Sequence, residues 1–591
     1  MSKHDDPPRT TTLDRRAFLV GTLGTVAGTA AGSAAGTRAM TRSTYEHLEE
    51  PADPDGGAFG YELPYPSRRE PVLAQNVVAT SQPLAAQAGL EMLRNGGNAI
   101  DAAVATAAAL TVVEPTANGI GGDNFALIWS KGKLHGLNAS GRAPMALTRE
   151  RYDGLEEVQR YDWGAVTTPG AVSGWAAALE RFGSLPMQTV LAPAIGYARD
   201  GYLVSPGVGR GWAASARRYQ GAPRFDAWQQ TFLNDGRPPQ IGELFRSPGH
   251  ARTLERIAET GGRDFYEGEL ADRIEQASIA HGGDLRKVDL ERHTADWVEP
   301  IRVDYRGLTL HEIPPNGQGI TALIALGILR EFDIASMDPD APECLHLQIE
   351  AMKLAFADAH RYIADPAHMD VTPAQLLDPS YLKSRAAKID AQRATDFEHG
   401  TPKPGGTVLL TTADRMGNMV SFIQSNYTGF GSGMVVPDTG IAMHNRGANF
   451  TLERGHPNEI APGKRPYQTI IPGFATREID RGMEPVMAFG VMGGFMQPQG
   501  HAQVMSRLAD HQQNPQAILD APRWQVTEGL GVSLEPGFDA AVYDTLEAMG
   551  HDLTRSSRRS ASYGRGQIIF RLEDGYLAAS DLRADGQAVG F

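Results

Sequence analysis

The chain has 591 residues, of which 41% are hydrophobic and 21% charged, with a formal net charge of −15 and a single cysteine. That balance is typical of a soluble globular protein, and the excess of acid excludes a surface built to bind nucleic acid. The lone Cys344 excludes an intrachain disulfide, and a buried apolar role suits it better than a catalytic thiol.

The first predicted element is a targeting segment. Arg15-Arg16-Ala17-Phe18-Leu19-Val20, with Lys3 and Arg9 upstream, opens a mildly apolar run rich in Gly, Ala and Thr to about Ala35. This predicts a twin-arginine signal peptide over residues 1–39 and an exported, periplasmic or secreted protein. A membrane anchor would need about 20 strongly apolar residues, and this run is too diluted. Residues 40–70, with Pro51, Pro54, Gly56, Gly57, Pro64 and Pro66, read as an extended lead-in.

Two helices follow. One covers Ala85 to Leu93 and ends at Asn95-Gly96-Gly97; the next, Ala99 to Val113, is apolar all round and must be buried on nearly every side. A Gly-rich loop, Asn118 to Asn124, leads into a predicted buried strand at Phe125–Trp129. Residues 170–400 read as mainly helical, including Leu345–Tyr362 and a long Pro373–Ala387 segment.

From residue 407 the pattern turns to strands. Thr407–Ala413 and Asn418–Ser425 flank an Asp414-Arg415-Met416-Gly417 turn and predict a β-hairpin; Ile470–Phe474, Val486–Phe489 and Gln567–Arg571 read as further strands. The mixture predicts a layered α/β protein, two sheets face to face with helices outside. The Gly406-Thr407 step is chemically pointed. A chain cut there exposes a threonine with both a hydroxyl nucleophile and a free α-amine, whose unperturbed pKa near ~8 suits a general base. No His-Glu-x-x-His, paired Cys-x-x-Cys or Gly-Lys-Ser/Thr loop is present, so no cofactor or metal is expected.

Several blocks, taken together in order, are recognisable: Gly97-Asn98-Ala99-Ile100-Asp101, Gly119-Ile120-Gly121-Gly122, Thr168-Pro169-Gly170-Ala171-Val172-Ser173-Gly174-Trp175, Ala355-Phe356-Ala357-Asp358, the Thr407 block, Lys464-Arg465-Pro466, Met492-Gly493-Gly494 and Ala579-Ser580-Asp581-Leu582-Arg583. From about residue 70 onward the chain resembles the γ-glutamyltransferase family of N-terminal-nucleophile hydrolases. The resemblance implies an αββα sandwich made as a precursor and cut between Gly406 and Thr407. The products would be a large subunit, residues 40–406, and a small one, residues 407–591, held together as a heterodimer. It implies a small-molecule γ-glutamyl or acyl amide substrate, with glutathione as the type case; a glutaryl or other acyl amidase of the same fold, supported by Asn449, is the alternative, and a non-catalytic binding protein that keeps the fold is a third reading.

The resemblance also assigns site residues. Thr407 is the nucleophile, Ser425 the hydroxyl beside it, and the amides of Gly493 and Gly494 the oxyanion hole. Gln468 and Thr469 stand where the family has two serines that hold the substrate α-carboxylate. The family arginine for that carboxylate aligns to Ser140, with Arg142 the nearest arginine. The family asparagine near the nucleophile aligns to Tyr427, beside Asn426. The acidic residue that binds the α-ammonium aligns to Asn449, and Arg446 three residues earlier disfavours a cation there. The short Thr451–Arg465 segment predicts an open site and favours hydrolysis over transfer.

Overall fold

The computed structural model describes residues 67–397 and 406–591. The twin-arginine segment and the stretch just before Gly406 lie outside the described residues. The first helix among the described residues runs Pro83–Arg94, with Pro83 in its first turn and the Gln82 side chain accepting the Leu84 and Ala85 amides. The second runs Ala99–Val113, opened by a reciprocal capping box between Asn98 and Asp101, and all of its residues are buried.

Two seven-stranded sheets form the centre. One has the strand order Gln587–Gly590, Val77–Thr80, Gly406–Ala413, Met419–Tyr427, Asp123–Ser130, Lys133–Ala139, Asp296–Val298. The other runs Val72–Ala74, Tyr576–Ser580, Arg565–Arg571, Gly482–Met492, Gly473–Ile479, Leu308–Glu312, Ile301–Tyr305. Alternation along the strands decides which layer each side chain enters. Leu409 packs between the sheets with Phe125, Leu127, Ile423, Phe474 and Ile569, whereas Val408 and Leu410 point to the Ala99–Val113 helix. A third apolar layer, with Leu323, Leu326, Phe356 and Phe489, covers the outer face of the second sheet. Helices outside and two sheets inside make the αββα sandwich.

The hairpin forms as predicted, with Leu409 opposite Ile423 and Ala413 opposite Met419. Three expectations need correction. The Pro373–Ala387 segment is two helices, Pro373–Leu376 and Pro379–Ala386, because Pro379 disfavours helix at the residue before it, and Asp378 instead caps the second helix. The strand expected at Ile470–Phe474 is Gly473–Ile479; Pro472 has no amide for a ladder, and the Ile471 amide donates to Gln497 instead. The stretch read as mainly helical contains Asp296–Val298, Ile301–Tyr305 and Leu308–Glu312, which supply an edge to each sheet.

Candidate active site

Thr407 sits at the start of the hairpin on an irregularity. Gly406 pairs with Tyr427 and Val408 with Gln424, so Thr407 alone faces both Ser425 and Asn426. Such a bulge re-aims side chains and breaks the ladder locally. Tyr427 absorbs the distortion in a left-handed conformation, φ +74°, which costs a residue with a Cβ on the order of 1–3 kcal/mol. The Thr407 hydroxyl donates to Ser425 Oγ at 3.2 Å, and Ser425 Oγ also accepts the Tyr427 amide at 2.7 Å. The Thr407 carbonyl accepts from Arg565 at 3.2 Å, and Arg565 is itself paired with the buried Glu114 carboxylate at 2.7 Å.

The second sheet delivers the Gly-Gly turn. Met492 ends its strand opposite Arg565, the residue that holds the Thr407 carbonyl. Gly493 and Gly494 follow at φ +140° and +62°, conformations that a side chain resists. Their carbonyls accept the Met496 and Gln497 amides that start the next helix. Among the described residues neither glycine amide donates a hydrogen bond within the protein. Two such amides are what an oxyanion hole requires.

The third part is a buried cation. Arg446, in the turn Arg446–Asn449, is fully buried, its guanidinium carbon 4.8 Å from the centre of the Tyr427 ring. Nη1 donates to Thr469 Oγ1 at 2.7 Å, while Nε and Nη2 have no hydrogen-bond partner among the described residues. Burial lowers its pKa to about 10, opposed by Asp123 and Tyr427, so it stays protonated at neutral pH. The Asn449 amide nitrogen and the Tyr427 hydroxyl are likewise buried without a hydrogen-bond partner among the described residues. Gln318 ties this region to the Gly-Gly turn, donating to the carbonyls of Thr469 at 2.7 Å and Gly494 at 2.9 Å.

The structure thus places Gly406, Thr407, Ser425, Asn426 and Tyr427 on the bulged hairpin, Arg446 against Tyr427 and Thr469 with Asn449 in its turn, and the Gly493-Gly494 turn tied to Thr469 through Gln318. Gln468 lies beside them, but its amide nitrogen donates to Asp123 at 2.9 Å, which makes it a support rather than a free donor. Arg142 turns elsewhere: it pairs with Asp365 at 2.8 Å and with the Gly463 carbonyl at 3.1 Å. It lines a cleft of ≈ 200 Å³ with Met145, Arg292, His293 and Arg465. The expectation of an open site is also corrected, since Thr407 is 1% exposed and Ser425, Asn426, Arg446 and Thr469 are fully buried.

Sequence reasoning missed Asp123. Fully buried, it accepts from the Gly141 and Gly170 amides at 3.3 and 3.2 Å and lies 3.8 Å from His444 Nε2. His444 Nδ1 accepts the Arg446 amide at 3.0 Å, which fixes the proton of the neutral ring on Nε2, facing Asp123. Burial lowers the His444 pKa, against the pull of Asp123. The signal was present, a lone carboxylate heading a largely apolar strand, and the structure pairs it in register with Ser425. The Gly-rich loop before it serves close approach, because a Cβ on Gly122 would lie 2.7 Å from the Ser425 carbonyl and 2.9 Å from Asn426 Oδ1.

Comparison with known proteins agrees with this geometry. Residues 85–591 match the family model described as Gamma-glutamyltranspeptidase. The oxamate amidohydrolase proenzyme of Klebsiella pneumoniae is 38% identical over 521 residues, 86% of this chain and 97% of its own. The glutathione hydrolase proenzyme of Escherichia coli is 30% identical over 548 residues, 88% of this chain and 92% of its own. A crystal structure of cephalosporin acylase from Bacillus halodurans superposes with a TM-score of 0.86 at 52% identity, covering 90% of this chain and 99% of that one.

Proposed function

Because the chain belongs to the gamma-glutamyltranspeptidase family, we propose that it is a self-processing amide hydrolase in which Thr407 attacks acyl groups that lack an α-ammonium. The support for the chemistry is the Thr407–Ser425 pair on a strand bulge beside a Gly-Gly turn with unengaged amides. In maturation the Thr407 hydroxyl attacks the Gly406 carbonyl, and water hydrolyses the resulting ester. The new α-amine of Thr407 is then a base attached to its own nucleophile. It takes the hydroxyl proton as the oxygen attacks the substrate amide, Gly493 and Gly494 hold the developing oxyanion, and the amine product departs with that proton. Water then attacks the acyl ester, and the hydroxyl of Thr407 is restored. Removing one oxyanion donor in acyl-transfer sites costs about 10²–10³-fold in rate.

One observation carries the substrate reading. Where an ammonium would need a carboxylate, this chain places an amide, Asn449, and a buried guanidinium, Arg446. Bringing a second cation beside it is unfavourable in a site with so little water. The names of the amidohydrolase and acylase relatives point the same way. Glutaryl-p-nitroanilide differs from the γ-glutamyl compound by the ammonium alone. The reading expects the glutaryl compound to be cleaved with at least ten times the kcat/KM, and equal or reversed rates would overturn it.

A further inference from the structure

We propose that Arg446 is the specificity-determining residue of this site and that its open guanidinium edge receives a carboxylate at the far end of the acyl group. The preferred substrates are then monoamides of short dicarboxylic acids. The inference rests on the reading of Thr407 as the acyl-accepting nucleophile and goes beyond the absence of an ammonium. That absence requires only a neutral acyl group; a carboxylate is a positive demand.

The demand comes from the state of Arg446. A buried guanidinium has five N–H donors to satisfy, and here one nitrogen is engaged by Thr469 Oγ1 while Nε and Nη2 have no partner among the described residues. Those two atoms lie on one edge of a planar fork, the pair of donors that binds a carboxylate in a bidentate manner. Among the described residues no carboxylate contacts the charge. Asp123 acts on it at a distance, but both its oxygens are already taken by Gly141, Gly170 and Gln468. The neighbours that face Arg446 are Tyr427, whose ring stacks on it, the neutral His444, Thr469 and, in the same turn, Asn449. The free polar atoms of the last turn and of Tyr427 include two more donors, Asn449 Nδ2 and the Tyr427 hydroxyl. No carboxylate among them competes with an incoming anion.

The position explains why Arg142 is not needed for this task. Its guanidinium is committed to Asp365, and Arg446 reaches Thr469, at the position that the family resemblance links to carboxylate binding. The cation has moved to the side of the site from which an ammonium would otherwise be read.

The test compares glutaryl-p-nitroanilide with valeryl-p-nitroanilide, in which a methyl group replaces the carboxylate. In the wild-type enzyme the kcat/KM ratio of glutaryl to valeryl should be about 10- to 100-fold, the range expected of charge-assisted hydrogen bonds. In Arg446→Met the ratio should fall to near one, mainly through a higher KM for the glutaryl compound. Arg446→Lys, which keeps the charge but not the fork, should give an intermediate ratio and covers the case in which the Met variant fails to mature. A wild-type ratio near one, or a ratio that neither variant changes, overturns the proposal while leaving the Thr407 amidase intact. Preference of the wild type for γ-glutamyl over glutaryl would instead overturn the reading on which it rests.

Discussion

At the scale of single residues the chemistry proposed here depends on Thr407 carrying a hydroxyl and, once cut, an amine. Thr407→Ala should therefore remain one uncut chain by intact mass and show no measurable amide hydrolysis. Thr407→Ser keeps both groups and should mature slowly with reduced activity. Ser425→Ala removes the hydroxyl 3.2 Å from the nucleophile and should lower kcat by about 10–100-fold with a smaller change in KM. At Gly493 the constraint is backbone: φ is +140°, and a Cβ there would lie 3.2 Å from Gly564 Cα and 3.3 Å from Met496 Cβ. Gly493→Ala should lose at least about 10²-fold in kcat, because the turn that aims the amides must shift. An alanine variant of near wild-type rate would remove Gly493 from the oxyanion hole. The Gly406-Thr407 step and the Gly-Gly pair were legible as candidates in the sequence because each is a short local signature. Asp123 and Gln318 were not, since they act through contacts with residues 141–494 that no local window contains.

At the scale of elements, the Pro342–Tyr362 helix anchors the backbone at Asp390 and Thr395 through a buried polar network. His346, Glu350 and His551 bring ligand atoms within 4.8 Å of one another, a spacing that suits a metal ion. Lys353, however, already supplies a cation, donating to Glu350 at 2.8 Å and lying 3.4 Å from His551 Nδ1. The protons can be assigned in sequence. His346 Nε2 must donate to the Asp390 carbonyl (2.8 Å), so its Nδ1 accepts from His551 Nε2 (2.8 Å), and His551 Nδ1 accepts from Lys353. Glu350 Oε2 accepts the Thr395 amide at 3.0 Å, so the network grips the backbone at Asp390 and Thr395. Burial, then Lys353 and His346, push the His551 pKa down to about 3, against ~6.5 in an unfolded chain. Between those values the unfolded state binds the extra proton, so this stability is present above about pH 6.5 and is lost as the pH falls. His551→Gln keeps a donor and an acceptor without the titration. Wild type should lose roughly 2 kcal/mol more than this variant between pH 7 and pH 4.5, as read from denaturant midpoints. Parallel losses would show that His551 does not titrate on unfolding. The sequence showed only scattered histidines here, because 205 residues separate the two imidazoles.

At the scale of the whole molecule, the layered architecture was legible because helix and strand periods change character at residue 407, while the order of strands was not. That order has a consequence for the cut precursor. In the first sheet, the strands that begin at Gly406 and Met419 lie between Val77–Thr80 and Asp123–Ser130. In the second, Gly473–Ile479 pairs with Leu308–Glu312, and Tyr576–Ser580 with Val72–Ala74. The apolar layer between the sheets likewise draws Phe125 and Leu127 from one side of the junction and Leu409, Phe474 and Ile569 from the other. Separating the fragments would break ladders in both sheets and expose all three apolar layers, at about 25 cal/mol for each Å² uncovered. The maturation proposed for Thr407 should therefore leave a fragment of residues 407–591 that co-elutes with the larger one in native size-exclusion chromatography and separates from it only in denaturant. Neither fragment should refold alone, because each sheet would present unpaired central edges. Dissociation of the two in native buffer would overturn this interleaved pairing, and a smaller fragment whose N-terminal sequence does not begin at Thr407 would overturn the proposed cut.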